Sequence, residues 1–113
     1  VTAYAADPVS FAGTTPNKRT GTASSDSVPQ GCLLLVINTT ANVHNLDLGI
    51  NATYRGVQVT NSTTAGLGKM RYAIAANASL YIRVPPDAGD ANGQCSIAID
   101  NTASDITYYV IGV

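Results

Sequence analysis

From Val28 onward, short runs in which every second residue is apolar recur along the chain, each closed by a cluster of Asn, Gly, Thr or Pro. Period-two alternation puts successive side chains on opposite faces of a β-strand, whereas a helix needs apolar residues three and four apart. Ser79–Val84 is the clearest instance, with Leu80, Ile82 and Val84 on one face and Tyr81 and Arg83 on the other. Pro85-Pro86 ends it, because proline has no N–H to give a ladder. Val43–Ile50 alternates through Leu46, Leu48 and Ile50, and Gln94–Asp100 through Cys95, Ile97 and Ile99. Lys69–Ala75 offers Met70, Tyr72 and Ile74 in one phase, or Ala73 and Ala75 in the other. Asp105–Val113 carries Ile106, Tyr108 and Val110, with Tyr109 and Ile111 out of phase. Tyr54–Thr60 reads as one more strand, with Val57 and Val59 on one face. Cys32–Asn38 is continuously apolar up to its last residue, which fits a strand buried on both faces or central in a sandwich.

Composition closes off the helical alternative. The chain has no Glu and two Lys, against thirteen Thr, nine Asn and ten Gly. Glu and Lys normally fill solvent-facing helix positions, where their straight side chains lose little freedom. Short strands at this spacing predict an all-β fold, a small antiparallel β-sandwich or jelly-roll-like barrel of seven to eight strands. Its 113 residues fit one domain. Residues 1–27 stand apart: Thr, Ser, Ala, Gly and Pro dominate, and only Tyr4, Val9 and Phe11 are larger apolar anchors. Such a stretch cannot bury enough apolar surface to fold alone. It predicts an extended N-terminal arm with one short strand around Asn17–Thr22, followed by a β-sandwich domain over 28–113.

Charged residues are 12% of the chain and the formal net charge is −1. No global field draws in nucleic acid or an anionic membrane, so neither is an expected partner. The longest apolar run, Cys32–Ile37, is far too short to span a bilayer as a helix. A surface this poor in charge suits a protein packed against copies of itself or against another surface.

Chemistry-bearing residues are sparse. His44 is the sole histidine, and a catalytic role needs a nucleophile and an orienting acid beside it. It is expected as a surface or half-buried histidine. The Asp residues fall mostly in loops or at strand ends. Asp87–Gly93 has oxygen ligands at alternating positions but neither the length nor the closing Glu of an EF-hand, and a plain turn is expected. Cys32 and Cys95 admit a disulfide between two strands or two buried thiols acting as small hydrophobes; the buried thiols are the expected reading, since spacing does not show that the two approach each other. Asn-X-Ser/Thr sequons begin at Asn38, Asn51, Asn61 and Asn77, and matter if the chain is secreted and glycosylated. No enzyme activity, metal or cofactor is expected. The residues expected to face a partner are Tyr4, Phe11, Lys18 and Arg19 in the arm, and Tyr81 and Tyr109 out of phase on their strands.

In order along the chain come Ala12-Gly13-Thr14-Thr15-Pro16, then Asp26-Ser27-Val28-Pro29-Gln30-Gly31 leading into an apolar strand that ends on Asn38. Tyr72-Ala73-Ile74-Ala75-Ala76-Asn77-Ala78-Ser79-Leu80-Tyr81 follows, then the break at Val84-Pro85-Pro86 and a strand opened by Asn92-Gly93. In this pattern the chain resembles small capsid cement or decoration proteins (minor capsid proteins) of tailed bacteriophages of actinobacteria. The cysteine pair and the stretch 51–64 depart from it. The resemblance implies a structural virion protein on the outer surface of the phage head, with the major capsid protein as partner and self-association as a homotrimer. An arm too polar to fold alone suits this, and residues 1–27 are expected to reach a neighbouring capsid or decoration subunit. Two other readings stand beside it: a secreted β-sandwich binding module (an adhesin or a carbohydrate-binding domain), and a phage tail or head–tail connector component.

Overall fold

The computed structural model describes residues 2–10, 12–21, 26–61, 64, 66–100 and 105–112. The chain is all-β. In order the strands are β1 (Thr2–Ala3), β2 (Arg19–Thr20), β3 (Asp26–Pro29), β4 (Leu33–Asn38), β5 (His44–Gly49), β6 (Thr53–Tyr54), β7 (Val57–Gln58), β8 (Lys69–Ile74), β9 (Ser79–Arg83), β10 (Gln94–Ile99) and β11 (Ile106–Ile111). They form a five-stranded sheet, β1-β3-β10-β5-β8, a four-stranded sheet, β2-β11-β4-β9, and a separate β6-β7 hairpin. All pairings within the two large sheets are antiparallel except β1 with β3. These are the two layers of a small β-sandwich.

The alternation selects which face is buried. Leu46 and Leu48 on β5, Ile97 on β10 and Ile74 on β8 meet Leu34 and Val36 on β4, Ile82 on β9 and Ile106, Tyr108 and Val110 on β11 in one core. Removing each such aliphatic side chain from water stabilises the fold by about 1.5–3 kcal/mol before entropy is charged against it. On β8 the Met70, Tyr72 and Ile74 phase faces inward: Met70 lies across from Leu48 and Tyr72 across from Leu46.

Two segments differ from the sequence expectation. Tyr54–Thr60 is not one strand. Arg55 and Gly56 both take positive φ (52° and 79°) and fold the stretch into the β6-β7 hairpin. Two successive left-handed residues match the twist of the flanking strands, and glycine takes that conformation without a Cβ penalty.

The second difference is the arm. Its two ends lie on the chain's own sandwich, while residues 8–10 and 12–18 between them are exposed, and the expected boundary after Ser27 falls inside β3. β1 pairs with β3 at the margin of the five-stranded sheet. The chain then crosses to the other sheet, where Asp7 bridges Ile111 and β2 pairs with β11. Midway, the Tyr4 side chain enters the gap between the sheets, 8% exposed, its ring 6.2 Å from that of Tyr108. A sequence too polar to form a core of its own has completed one already present. The expected short strand around Asn17–Thr22 appears as β2.

Candidate interaction surface

The two sheets turn very different faces outward. On the five-stranded sheet the outward residues are short or polar: Ser27, Gln94, Ser96, Ala98, Asn45, Asp47, Arg71 and Lys69 are among them. At the centre Asp47 and Arg71 face each other across β5 and β8. Arg71 Nε donates to Asp47 Oδ1 at 2.8 Å and Nη2 to Oδ2 at 2.9 Å. The carboxylate, by accepting these bonds, holds the guanidinium pKa above its ordinary value. A two-bond Arg–carboxylate fork is geometrically specific and leaves the face polar and internally satisfied.

On the four-stranded sheet the outward face is a three-by-three array. Tyr109, Leu35 and Tyr81 form its middle row across β11, β4 and β9. Ile111, Leu33 and Arg83 lie on one side of that row, and Thr107, Ile37 and Ser79 on the other. Tyr81 is 65% exposed. Leu33, Leu35, Ile37, Tyr109 and Ile111 are half-buried, Ile111 in part against Val9, Thr14 and Pro16, and the described strands supply no further sheet to stack on them. Arg83 is the array's one charge. At the usual strand and residue spacings, nine such side chains cover about 300 Å² of sheet. Six of the nine are aliphatic or aromatic, about 200 Å² by the same spacings, and contiguous apolar patches of a few hundred Å² on a monomer are often functional. The continuous run Leu33-Leu34-Leu35-Val36-Ile37 thus has one set of side chains in the core and the other set on this outer face.

The sequence-derived partner residues divide accordingly. Tyr81 and Tyr109 come together, flanking Leu35. Lys18 is exposed, and Phe11 lies outside the described residues. Tyr4 and Arg19 are taken up inside the chain rather than presented to a partner. The Tyr4 hydroxyl donates to Thr20 O at 2.9 Å, and burial, then the nearby Asp26 charge, raise its pKa. The Arg19 guanidinium lies over the Tyr4 ring, 5.4 Å from its centre, and donates to Ala5 O at 3.2 Å. Both are drawn inward because the sandwich leaves a gap on this side that an aromatic ring fills. Asp7 completes the stitch: the Asn17 backbone N–H and side-chain amide donate to its two carboxylate oxygens at 2.8 and 2.6 Å. The backbone bond is the main reason its pKa falls below the ordinary value, with the side-chain bond and Arg19 adding to it against the opposing effect of burial.

Cys32 and Cys95 are free, buried thiols. Burial pushes both up to about 11, and the nearby Cys95 adds to the shift at Cys32. They fill core space as small apolar groups, and no disulfide joins them here. His44, expected at the surface or half-buried, is 3% exposed. Its Nδ1 lies 3.2 Å from Asp100 Oδ1 and its Nε2 3.7 Å from Asp105 Oδ2. It fastens the start of β5 to the segment between β10 and β11. Among the described residues there is no His/Cys/Asp cluster able to hold a metal. In the Asp87–Gly93 stretch, Asp90 Oδ1 accepts the Asn92 and Gln94 backbone N–H groups, closing a turn.

Asn38 does work that its sequon does not suggest. Buried at the end of β4, its amide donates to Asn42 O at 2.7 Å and to Ile74 O and Ala75 O at 3.2 Å each. Its Oδ1 accepts the Thr40 backbone N–H and hydroxyl. It ties the two sheets together at this end, and its nitrogen is not open to a glycan in this fold. Beside β8 lies a mainly apolar cleft of about 310 Å³, lined by residues that include Ile50, Val59, Met70, Tyr72, Pro85 and Asp87.

Comparison with known proteins finds no matching family model, no similar curated protein and no similar solved structure.

Proposed function

We propose that this chain is a structural virion protein, a capsid cement or decoration protein that lays the outer face of its four-stranded sheet on the phage head and bridges major capsid protein subunits. The observation that carries this reading is the Tyr109–Leu35–Tyr81 array. It is apolar, nearly uncharged and set on a rigid sheet, as suits packing against a protein surface rather than binding a charged ligand. The family resemblance supplies the identity of the partner. The arm, docked on its own sandwich, gives way to this face as the proposed contact.

The test is occupancy on purified heads stripped of the protein and re-incubated with it. Leu35→Asp places a charge at the centre of the contact and should lower occupancy at least a hundredfold, about 3 kcal/mol, as expected for a central interface residue. Ala98→Asp, on the other outer face, should leave occupancy unchanged. Equal binding by both variants rules the reading out.

The cleft supports a second reading, a small-ligand module in which Tyr72 and Asp87 orient an occupant held by Ile50 and Met70. Saturable binding of a saccharide, abolished by Asp87→Ala and indifferent to Leu35→Asp, would favour it.

A further inference from the structure

The two large sheets have four outer edges, and three are short or blocked. β1 and β2 are two residues each. On β8, Lys69 is bridged by Thr60, and the Asn61 side chain occupies both the N–H and the C=O of Arg71, donating to the carbonyl at 2.7 Å and accepting from the amide at 2.5 Å. A side-chain amide there imitates a neighbouring strand and so closes the edge to others.

β9 differs. Its inner side pairs with β4 over all five residues, and Asn38 N donating to Ala78 O and Val84 N donating to Cys32 O fix which groups turn that way. By strand alternation, residues 80 and 82 pair inward, while Ser79, Tyr81 and Arg83 turn their N–H and C=O groups outward. Among the described residues no strand lies beyond them. This edge is also the margin of the apolar outer face.

We propose that, in place of the homotrimer the family resemblance implies, two copies of the chain join β9 to β9 in antiparallel register about a two-fold axis at Tyr81, making one eight-stranded sheet. In the register that pairs all five residues, Tyr81 faces Tyr81 of the second copy and each Arg83 faces the other copy's Ser79. The one charged side chain on β9 therefore meets a hydroxyl and not a like charge, so the edge is self-complementary in an isologous contact. Pro85-Pro86 stops the pairing from running further. The middle row becomes Tyr109–Leu35–Tyr81–Tyr81–Leu35–Tyr109, unbroken across the axis. Two such arrays side by side double the sheet area offered to a partner, from about 300 to about 600 Å².

Sedimentation equilibrium of the full chain from micromolar to millimolar concentration tests this, with amide hydrogen exchange as the site-specific readout. The expected result is a monomer–dimer equilibrium in which protection at Ser79, Tyr81 and Arg83 rises with concentration. Tyr81→Pro removes an outward N–H and no bond to β4, so it should weaken dimerisation roughly thirtyfold, the worth of about two hydrogen bonds. Tyr81→Val, which keeps the backbone donor, should weaken it far less. If the proline variant does not fold, Tyr81→Lys takes its place by setting like charges face to face at the axis. A monomer at every concentration, a trimer, or a dimer indifferent to both Tyr81→Pro and Tyr81→Lys overturns the proposal. Head occupancy is a separate measurement: loss of the dimer with occupancy retained sinks this inference alone, and a dimer that never binds heads sinks the decoration reading alone.

Discussion

The two outward faces of the sandwich are built by the same alternation and end in opposite chemistry. On the five-stranded sheet the out-of-core phase is Asn45, Asp47, Ser96 and Ala98; on the four-stranded sheet it is Leu33, Leu35, Ile37, Tyr109 and Ile111. A free-standing antiparallel sandwich gains nothing from the second pattern, since one apolar face per sheet is enough for the core. The contrast teaches that folding and assembly draw on different phases of the same strands. β4 carries both at once, with Leu34 and Val36 committed to the core and Leu33, Leu35 and Ile37 to the outside.

Neighbouring residues on β4 give the sharpest way to break that distinction. Leu34→Ala should destabilise the isolated chain by about 3 kcal/mol, the usual range for a buried leucine, whereas Leu35→Ala should cost under about 1 kcal/mol. Chemical denaturation of both variants checks it, and equal losses would mean that the outer face is not distinct from the core. A smaller effect is expected on the polar face. Breaking the Asp47–Arg71 fork with Arg71→Ala should lower the melting temperature only slightly, by less as salt rises, as for a partly exposed ion pair; melts at low and high salt measure it.

The smallest effect concerns the margin of the apolar face, where Asp7 and its neighbours Val9, Thr14 and Pro16 lie against Ile111. The Asp7 pKa is lowered in the folded chain, so its contribution is present above the ordinary value of 3.8 and lost as pH falls through the lower folded value. In that acid window the wild type should loosen slightly and bind more of an apolar dye. Asp7→Asn should show a flatter response there.

Much of the sandwich was legible because alternation is a local property. The phases of Ser79–Val84 and Gln94–Ile99 follow from their own residues, and so does the outward direction of Tyr81 and Tyr109. What alternation omits is which strands end up at a margin. That determines where Tyr4 finds a gap, and it depends on pairing between distant segments, so the first 27 residues resemble a free arm when read alone. The β6-β7 hairpin was missed because Arg55, unlike Asn or Asp, is no usual bearer of positive φ, although Gly56 beside it was the signal. In the candidate surface, Tyr81 and Tyr109 were visible as misfits, but Leu33, Leu35 and Ile37 were hidden within a run that core burial alone would explain.

The lacing of the early residues also bears on the order of events during synthesis. Asp7 bridges Ile111, and Arg19 and Thr20 pair with Tyr108 and Thr107. None of these contacts can form until the ribosome has made nearly the whole stretch between them. Tyr4, whose ring packs on Tyr108, is therefore translated before β11 and seated only after it, and until then one flank of the nascent sandwich stays open.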